Sequence, residues 1–240
     1  MKNIVKTILN LVGWKLIKLK HESKEPKQFA YTKPDIKDFE TILKSNGILH
    51  LDAHRGNEAG VYNWFNKKVL WIEAIPDIYD ELERNIKYQF GQQAICALLG
   101  NKDKENTKFY LSNNDKASSS IFDLSKDVKE KKLWAERNIK MNKFIFLEMR
   151  TLDSILDEYK IQSSNYNHWV LDLQGSELNC LKGAKRALKN CKSISIEVSK
   201  KEFYKGGVLW EEIRDYLTSK NFKLFKEPSL DHTDVLFLKK

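Results

Sequence analysis

Beyond residue 45, short apolar runs alternate with longer stretches in which apolar side chains recur at the helical period. Residues 48–51, 69–72, 94–98, 169–173, 193–198, 222–225 and 235–238 read as strands, and residues 58–65, 78–88, 178–188 and 209–217 as helices. This alternation is the signature of an α/β fold: a mostly parallel sheet with helices on both faces, because each helix carries the chain back to start the next strand in the same direction. Residues 101–142, rich in Lys, Asn, Asp and Ser, read as an irregular region near the functional site. No internal repeat interrupts the pattern.

The first 34 residues have a different character. Ile4, Val5, Ile8, Leu9, Leu11, Val12, Leu16, Ile17 and Leu19 fall at helical spacing, interleaved with Lys2, Lys6, Lys15, Lys18 and Lys20. This predicts a basic amphipathic N-terminal helix over residues 1–20, weakened at Gly13. Two roles suit it: packing on the main domain or a second subunit, which would make an oligomer, or peripheral contact with a membrane, lysines meeting lipid head groups. Residues 21–34 hold Pro26 and Pro34 without an apolar period and read as a linker, which leaves residues 35–240 as the main folded domain.

Composition narrows the class. A chain of 240 residues with 41% apolar side chains can bury one full core. Lys and Arg outnumber Asp and Glu by 42 to 33, a net charge of +9 that favours acidic partners. Cys96, Cys180 and Cys191 are odd in number and lack C-x-x-C spacing, so neither a disulfide framework nor a zinc site is indicated and a reducing, cytoplasmic compartment is expected. No apolar run approaches the ~18 residues that would span a bilayer. A nucleic-acid partner is not expected, since the chain lacks the Asn/Asp-Pro-Pro-Tyr/Phe motif of base-flipping methyltransferases and any aromatic-basic stripe. Asp172, Glu197 and Asp234 have no spacing that requires a cation, so no metal is expected.

The first strand runs into Leu51-Asp52-Ala53-His54-Arg55-Gly56-Asn57-Glu58, and open α/β sheets bind ligands beyond the carboxyl ends of their strands. The second strand ends at Glu73, about where a carboxylate accepts both hydroxyls of a nucleoside ribose. Together, residues 48–59 and 71–76 resemble the first two motifs of FkbM-type S-adenosylmethionine-dependent methyltransferases. Thr151-Leu152-Asp153-Ser154-Ile155-Leu156, then Leu171-Asp172-Leu173-Gln174-Gly175-Ser176-Glu177 with Leu181-Lys182-Gly183-Ala184, then Ile196-Glu197-Val198-Ser199 and Tyr204, are similar to later segments of that family, in its order.

The resemblance implies a Rossmann-like class I methyltransferase sheet, which the close-set final strand pair suits. It implies S-adenosylmethionine as cofactor and O-methyl transfer to a hydroxyl of a sugar, glycan or secondary metabolite. It places Glu73 on the cofactor ribose and the turn carrying His50, Asp52, His54, Gly56 and Glu58 around the methionine portion. Asn101 falls in the adenine-side loop, and Ser119, within Ser118-Ser119-Ser120, falls near cofactor or acceptor. The family usually has glycine at the position of Asp52 and often asparagine at that of His54. Asp52 adds a negative side chain where glycine lets the ligand approach the backbone. It can pair with the cofactor ammonium or with Arg55, or weaken binding enough to leave a catalytically silent binding or scaffold protein. Methyl transfer to a hydroxyl also needs a base. Asp172 is the preferred candidate, with Glu197 beside it at a strand end, Glu177 at a helix start and His232 reaching in from a loop.

Overall fold

A computed structural model describes residues 36–240. The helix expected over residues 1–20 and the linker at 21–34 lie outside the described residues. Helix α1 (Ile36–Lys44) leads into β1 (Gly47–Leu51), followed by α2 (Ala59–Trp64), β2 (Lys68–Glu73), α3 (Pro76–Ile86) and β3 (Gln92–Cys96). All of β1 and all of β2 after Lys68 are buried, as expected of central strands covered on both faces. Pro76 opens α3 at the position where its missing N–H costs no helical hydrogen bond.

The chain then leaves the main sheet for β4 (Leu98–Leu99), β5 (Glu105–Ser112), the short α4 (Lys126–Lys129) and β6 (Met141–Arg150). It returns through α5 (Leu152–Glu158), capped by the Thr151 hydroxyl accepting from Ser154 N, to β7 (His168–Leu171), α6 (Glu177–Gly183), β8 (Ser193–Ser199), α7 (Trp210–Ser219), β9 (Phe222–Leu224) and β10 (His232–Lys239). The seven-stranded sheet runs β3-β2-β1-β7-β8-β10-β9. Strands β1, β2, β3, β7 and β8 are parallel, and β10 is antiparallel to both β8 and β9. Strand order reverses between β1 and β7, so the cleft of an open α/β sheet falls at their carboxyl ends. Fully buried Trp169, Ile194, Ile213, Phe222 and Phe237 fill the core beneath it.

Four expectations need correction. The region 101–142 is not irregular throughout: β4, β6 and β5 form a second, three-stranded sheet. Only Phe109 and Met149 of β5 and β6 are fully buried among the apolar side chains, so the alternation that marks a strand is faint in the sequence. The run 94–98 splits between the two sheets at Ala97, whose N–H donates to Glu73 O at 2.9 Å. The helix expected to reach residue 188 stops at Gly183, where a Cβ would lie 2.0 Å from Gly100 O, and a 3-10 turn covers Ala187–Asn190. His232 belongs to β10, not to a preceding loop.

Candidate active site

The turn after β1 is tightly wound. Asp52 (φ 67°), His54 (φ 47°) and Gly56 (φ 67°) all adopt the left-handed conformation, which is free of strain only for glycine. Both Asp52 N and Ala53 N donate to Ile72 O, at 2.9 and 3.0 Å. Glu73, buried at the end of β2, completes the clamp: its Oε2 accepts from His54 N and its Oε1 from Ile75 N, both at 2.8 Å. Burial raises the Glu73 carboxyl above the ordinary range, and burial together with the Glu73 and Asp172 charges pushes half-buried Asp52 well above it.

Above this turn lies a cavity of about 200 Å³, lined among others by His50, Asp52, His54, Glu58, Ser119 and Asp172. His50 stacks on Trp71 at 4.7 Å and pairs with Tyr62 OH at 3.2 Å. The roof comes from residues 113–120, which contribute Lys116, Ala117 and Ser119. Three contacts hold it down. Arg55 forks onto Asp115 at 2.5 and 3.0 Å, His54 Nε2 meets Asp115 O at 2.9 Å, and Lys116 pairs with Asp77. A second space of about 20 Å³, room for about one water, has apolar walls from Ala74, Leu98, Leu99, Phe109 and Leu173. Asp52 is the one residue that lines both.

Behind Asp172 stands a chain of buried polar groups. Tyr204 OH donates to Gln174 Oε1, which fixes the amide so that Nε2 donates to Asp172 Oδ1 and, at 3.1 Å, to Glu197 Oε2. Glu197 Oε1 is 2.8 Å from His232 Nε2, and His232 Nδ1 is 2.8 Å from Ser199 Oγ. The His232 ring packs against the stacked pair of Trp134 and Phe203, 4.9 Å from each. Burial pushes Glu197 up to about 8 and His232 down to about 4, so both are neutral near pH 7. Asp172 is driven well above the ordinary range by burial and by the Glu197 charge. Glu177 rises to about 7 through burial, against the hydrogen bond its carboxylate accepts from Gly175 N.

A polar cavity and an apolar cleft at the strand switch point, backed by paired carboxyls, agree with the family motifs along the chain. The model of the methyltransferase FkbM domain matches residues 50–224. The chain belongs to the FkbM methyltransferase family. No curated protein sequence matches it. Among solved structures, the chain is similar to a TehB-like S-adenosylmethionine-dependent methyltransferase from Corynebacterium glutamicum, with 10% identity and a TM-score of 0.44 over 100% of this chain and 97% of that one. It is also similar to a methyltransferase from Aquifex aeolicus, with 10% identity and a TM-score of 0.46 over 85% and 89%. Magnesium protoporphyrin IX methyltransferase from Synechocystis gives 8% identity and 0.44 over 100% and 97%.

S-adenosylmethionine is the cofactor of this FkbM methyltransferase, and the lining suits it chemically. Asp52, Glu73 and Asp172 line the polar cavity, and their carboxyls suit a sulfonium and an ammonium, while the adjoining apolar-walled space has room for about one water. Of the residues singled out in the sequence, His50, Asp52, His54, Glu58, Glu73, Ser119 and Asp172 converge on the polar cavity. Glu197 and His232 stand behind Asp172. Gly56 does not line the cavity: its Cβ position lies 2.6 Å from Leu82, so it serves the packing of the turn on α3. Asn101 follows β4, exposed, next to Gly183, and lines neither space. Arg55 is held by Glu81 and Asp115 and does not pair with Asp52. Sequence reasoning gave no role to Gln174, whose left-handed φ of 51° turns it back onto the carboxyls, or to Lys116 in the roof. The signal for Gln174 was its place two residues after Asp172, beyond a strand end.

Proposed function

We propose that this FkbM methyltransferase transfers a methyl group from S-adenosylmethionine to a hydroxyl of a sugar, glycan or other secondary metabolite, in the cytoplasm or at the inner membrane face. The observation that carries this reading is the hydrogen-bonded chain Tyr204–Gln174–Asp172/Glu197–His232, which opens on the cavity at Asp172. S-adenosylmethionine supplies a methyl group on a positively charged sulfur. Asp172 takes the proton that the acceptor hydroxyl sheds, Gln174 bridges Asp172 to Glu197, and His232 fixes Glu197 from behind. Glu73 and Asp52 offer anionic partners to the cofactor, while His50, His54, Glu58 and Ser119 line its cavity. The basic pattern of residues 1–20 supports peripheral membrane contact.

The test is titration calorimetry with S-adenosylmethionine, followed by an acceptor screen with sugars. Asp172→Asn is expected to keep cofactor binding and lose transfer by about 100-fold or more, the usual worth of a general base. Undiminished transfer by this variant would remove Asp172 from the mechanism. Asp52, the residue common to both spaces, supports a second reading as a silent binding or scaffold module. That reading requires no binding by the native chain and binding by Asp52→Gly.

A further inference from the structure

In a parallel sheet each helix returns the chain to the amino ends of the strands, so helix C-termini and the loops after them gather opposite the catalytic cleft. The three most exposed large apolar side chains among the described residues all lie there: Trp64 at the end of α2 (82% exposed), and Tyr88 (87%) and Phe90 (80%) between α3 and β3. Leu43, near the end of α1, is also exposed. Lys67 Nζ donates to Leu43 O and Ser45 O at 2.8 and 2.9 Å, and Val69 N to Gly91 O at 3.0 Å, so these segments adjoin along the starts of β1 and β2.

Across β1, the same end of the sheet carries a cavity of about 500 Å³, whose lining includes Lys189, Lys192, Lys239 and Lys240 and no acidic residue. A neighbouring cavity of about 280 Å³ shares Lys189 and Lys239 and adds Lys185 and Lys220. Among the described residues, Lys68, Lys189, Lys192 and Lys240 have no carboxylate within ion-pair distance. Of the acids nearby, Glu40 pairs with Lys37 and Lys44, Asp157 with Arg186 and Glu158 with Arg150.

We propose that this amino-end face docks on an anionic phospholipid bilayer. Trp and Tyr favour the head-group level, and unpaired lysines are drawn to a negative leaflet. The reading is independent of methyl transfer. It turns the catalytic cleft away from the bilayer by the length of a five-residue strand, about 17 Å, so the acceptor arrives from the aqueous side.

The full chain is sedimented with vesicles of phosphatidylcholine, alone or with about one-third phosphatidylglycerol. Binding to the anionic vesicles only is expected. The triple variant Trp64→Ser/Tyr88→Ser/Phe90→Ser should partition about tenfold less, and Lys189→Glu/Lys192→Glu likewise with a weaker salt dependence. Brominated acyl chains should quench a component of the native tryptophan fluorescence that Trp64→Phe removes. Unchanged circular dichroism and melting establish that the variants are folded. Equal partitioning of native and triple variant overturns the proposal. So does a native dimer that the triple variant converts to monomer without change in lipid binding, which would assign the face to a second copy of the chain.

Discussion

Asp52 holds a backbone conformation that costs a side-chain-bearing residue about 1–2 kcal/mol, and its carboxyl stands between the polar cavity and the apolar cleft. In Asp52→Gly that strain is relieved, while the greater freedom of the unfolded chain costs about 0.5–1 kcal/mol. The two nearly cancel. Stability should therefore change by less than about 1 kcal/mol, whereas the affinity for S-adenosylmethionine, read by calorimetry, should fall about tenfold as the cofactor loses an anionic partner; a rise would favour the silent-module reading. The native carboxyls make a separate prediction. Asp52, Glu73 and Asp172 are all raised by burial, and a bound cation favours their charged forms. Binding of S-adenosylmethionine should release protons and tighten as pH rises. S-adenosylhomocysteine, which lacks the sulfonium charge, should follow this trend less steeply; identical pH dependence would argue against carboxylate contact with the sulfur. These placements were legible in part. Strand-end carboxyls can be located from sequence because the fold fixes where strands end. That Glu73, besides lining the cavity, also accepts from two backbone N–H groups depends on the path of the neighbouring loops, which no local pattern encodes.

Among the elements, α6 shows how a glycine sets an approach. Gly183 lets the helix end abut the backbone after β4, where a Cβ would fall 2.0 Å from Gly100 O and 3.1 Å from its carbonyl carbon. Because the obstruction is backbone, Gly183→Ala must push α6 and the 100–101 segment apart, and a loss of about 1–3 kcal/mol in urea denaturation is expected. The main sheet was readable because its central strands are continuous apolar runs separated by amphipathic helices. The second sheet was not, since β5 and β6 bury so little that Glu105, Asn106, Lys108 and Lys143 dominate their sequence. The fate of residues 94–98 was equally hidden: one apolar run serves two sheets, and only the tertiary bend at Ala97 divides it.

For the whole molecule, the buried titratable groups set a pH profile of stability. Glu197 titrates at about 8 and Glu177 at about 7 in the fold, against ordinary values near 4.5. The folded chain thus holds protons that the unfolded chain has released, so the stability these groups supply is complete below about pH 4.5 and is lost as pH rises through 7 and 8. His232 and His168 act in the opposite sense, each at about 4 in the fold, and lower stability as pH falls below about 6.5. The melting temperature of the ligand-free chain should accordingly decline from pH 6 to pH 8.5, by about 2–4 °C for each kcal/mol lost. Glu197→Gln should flatten that decline, and a native curve level over this range would exclude the buried acids as its cause.

The roof over residues 113–120 carries one more consequence. Arg55 and His54 hold Asp115, and Asp77 holds Lys116, so the tip of the strap at residues 115–116 is fastened by polar contacts near the surface, while Ser118, Ser119 and Ser120 are anchored by buried hydrogen bonds. Ion pairs of that kind weaken as salt rises, while the clamp at Glu73 beneath is shielded from it. The residence time of a spent cofactor would then follow ionic strength, and turnover limited by product departure would quicken in salt even where affinity for the acceptor does not.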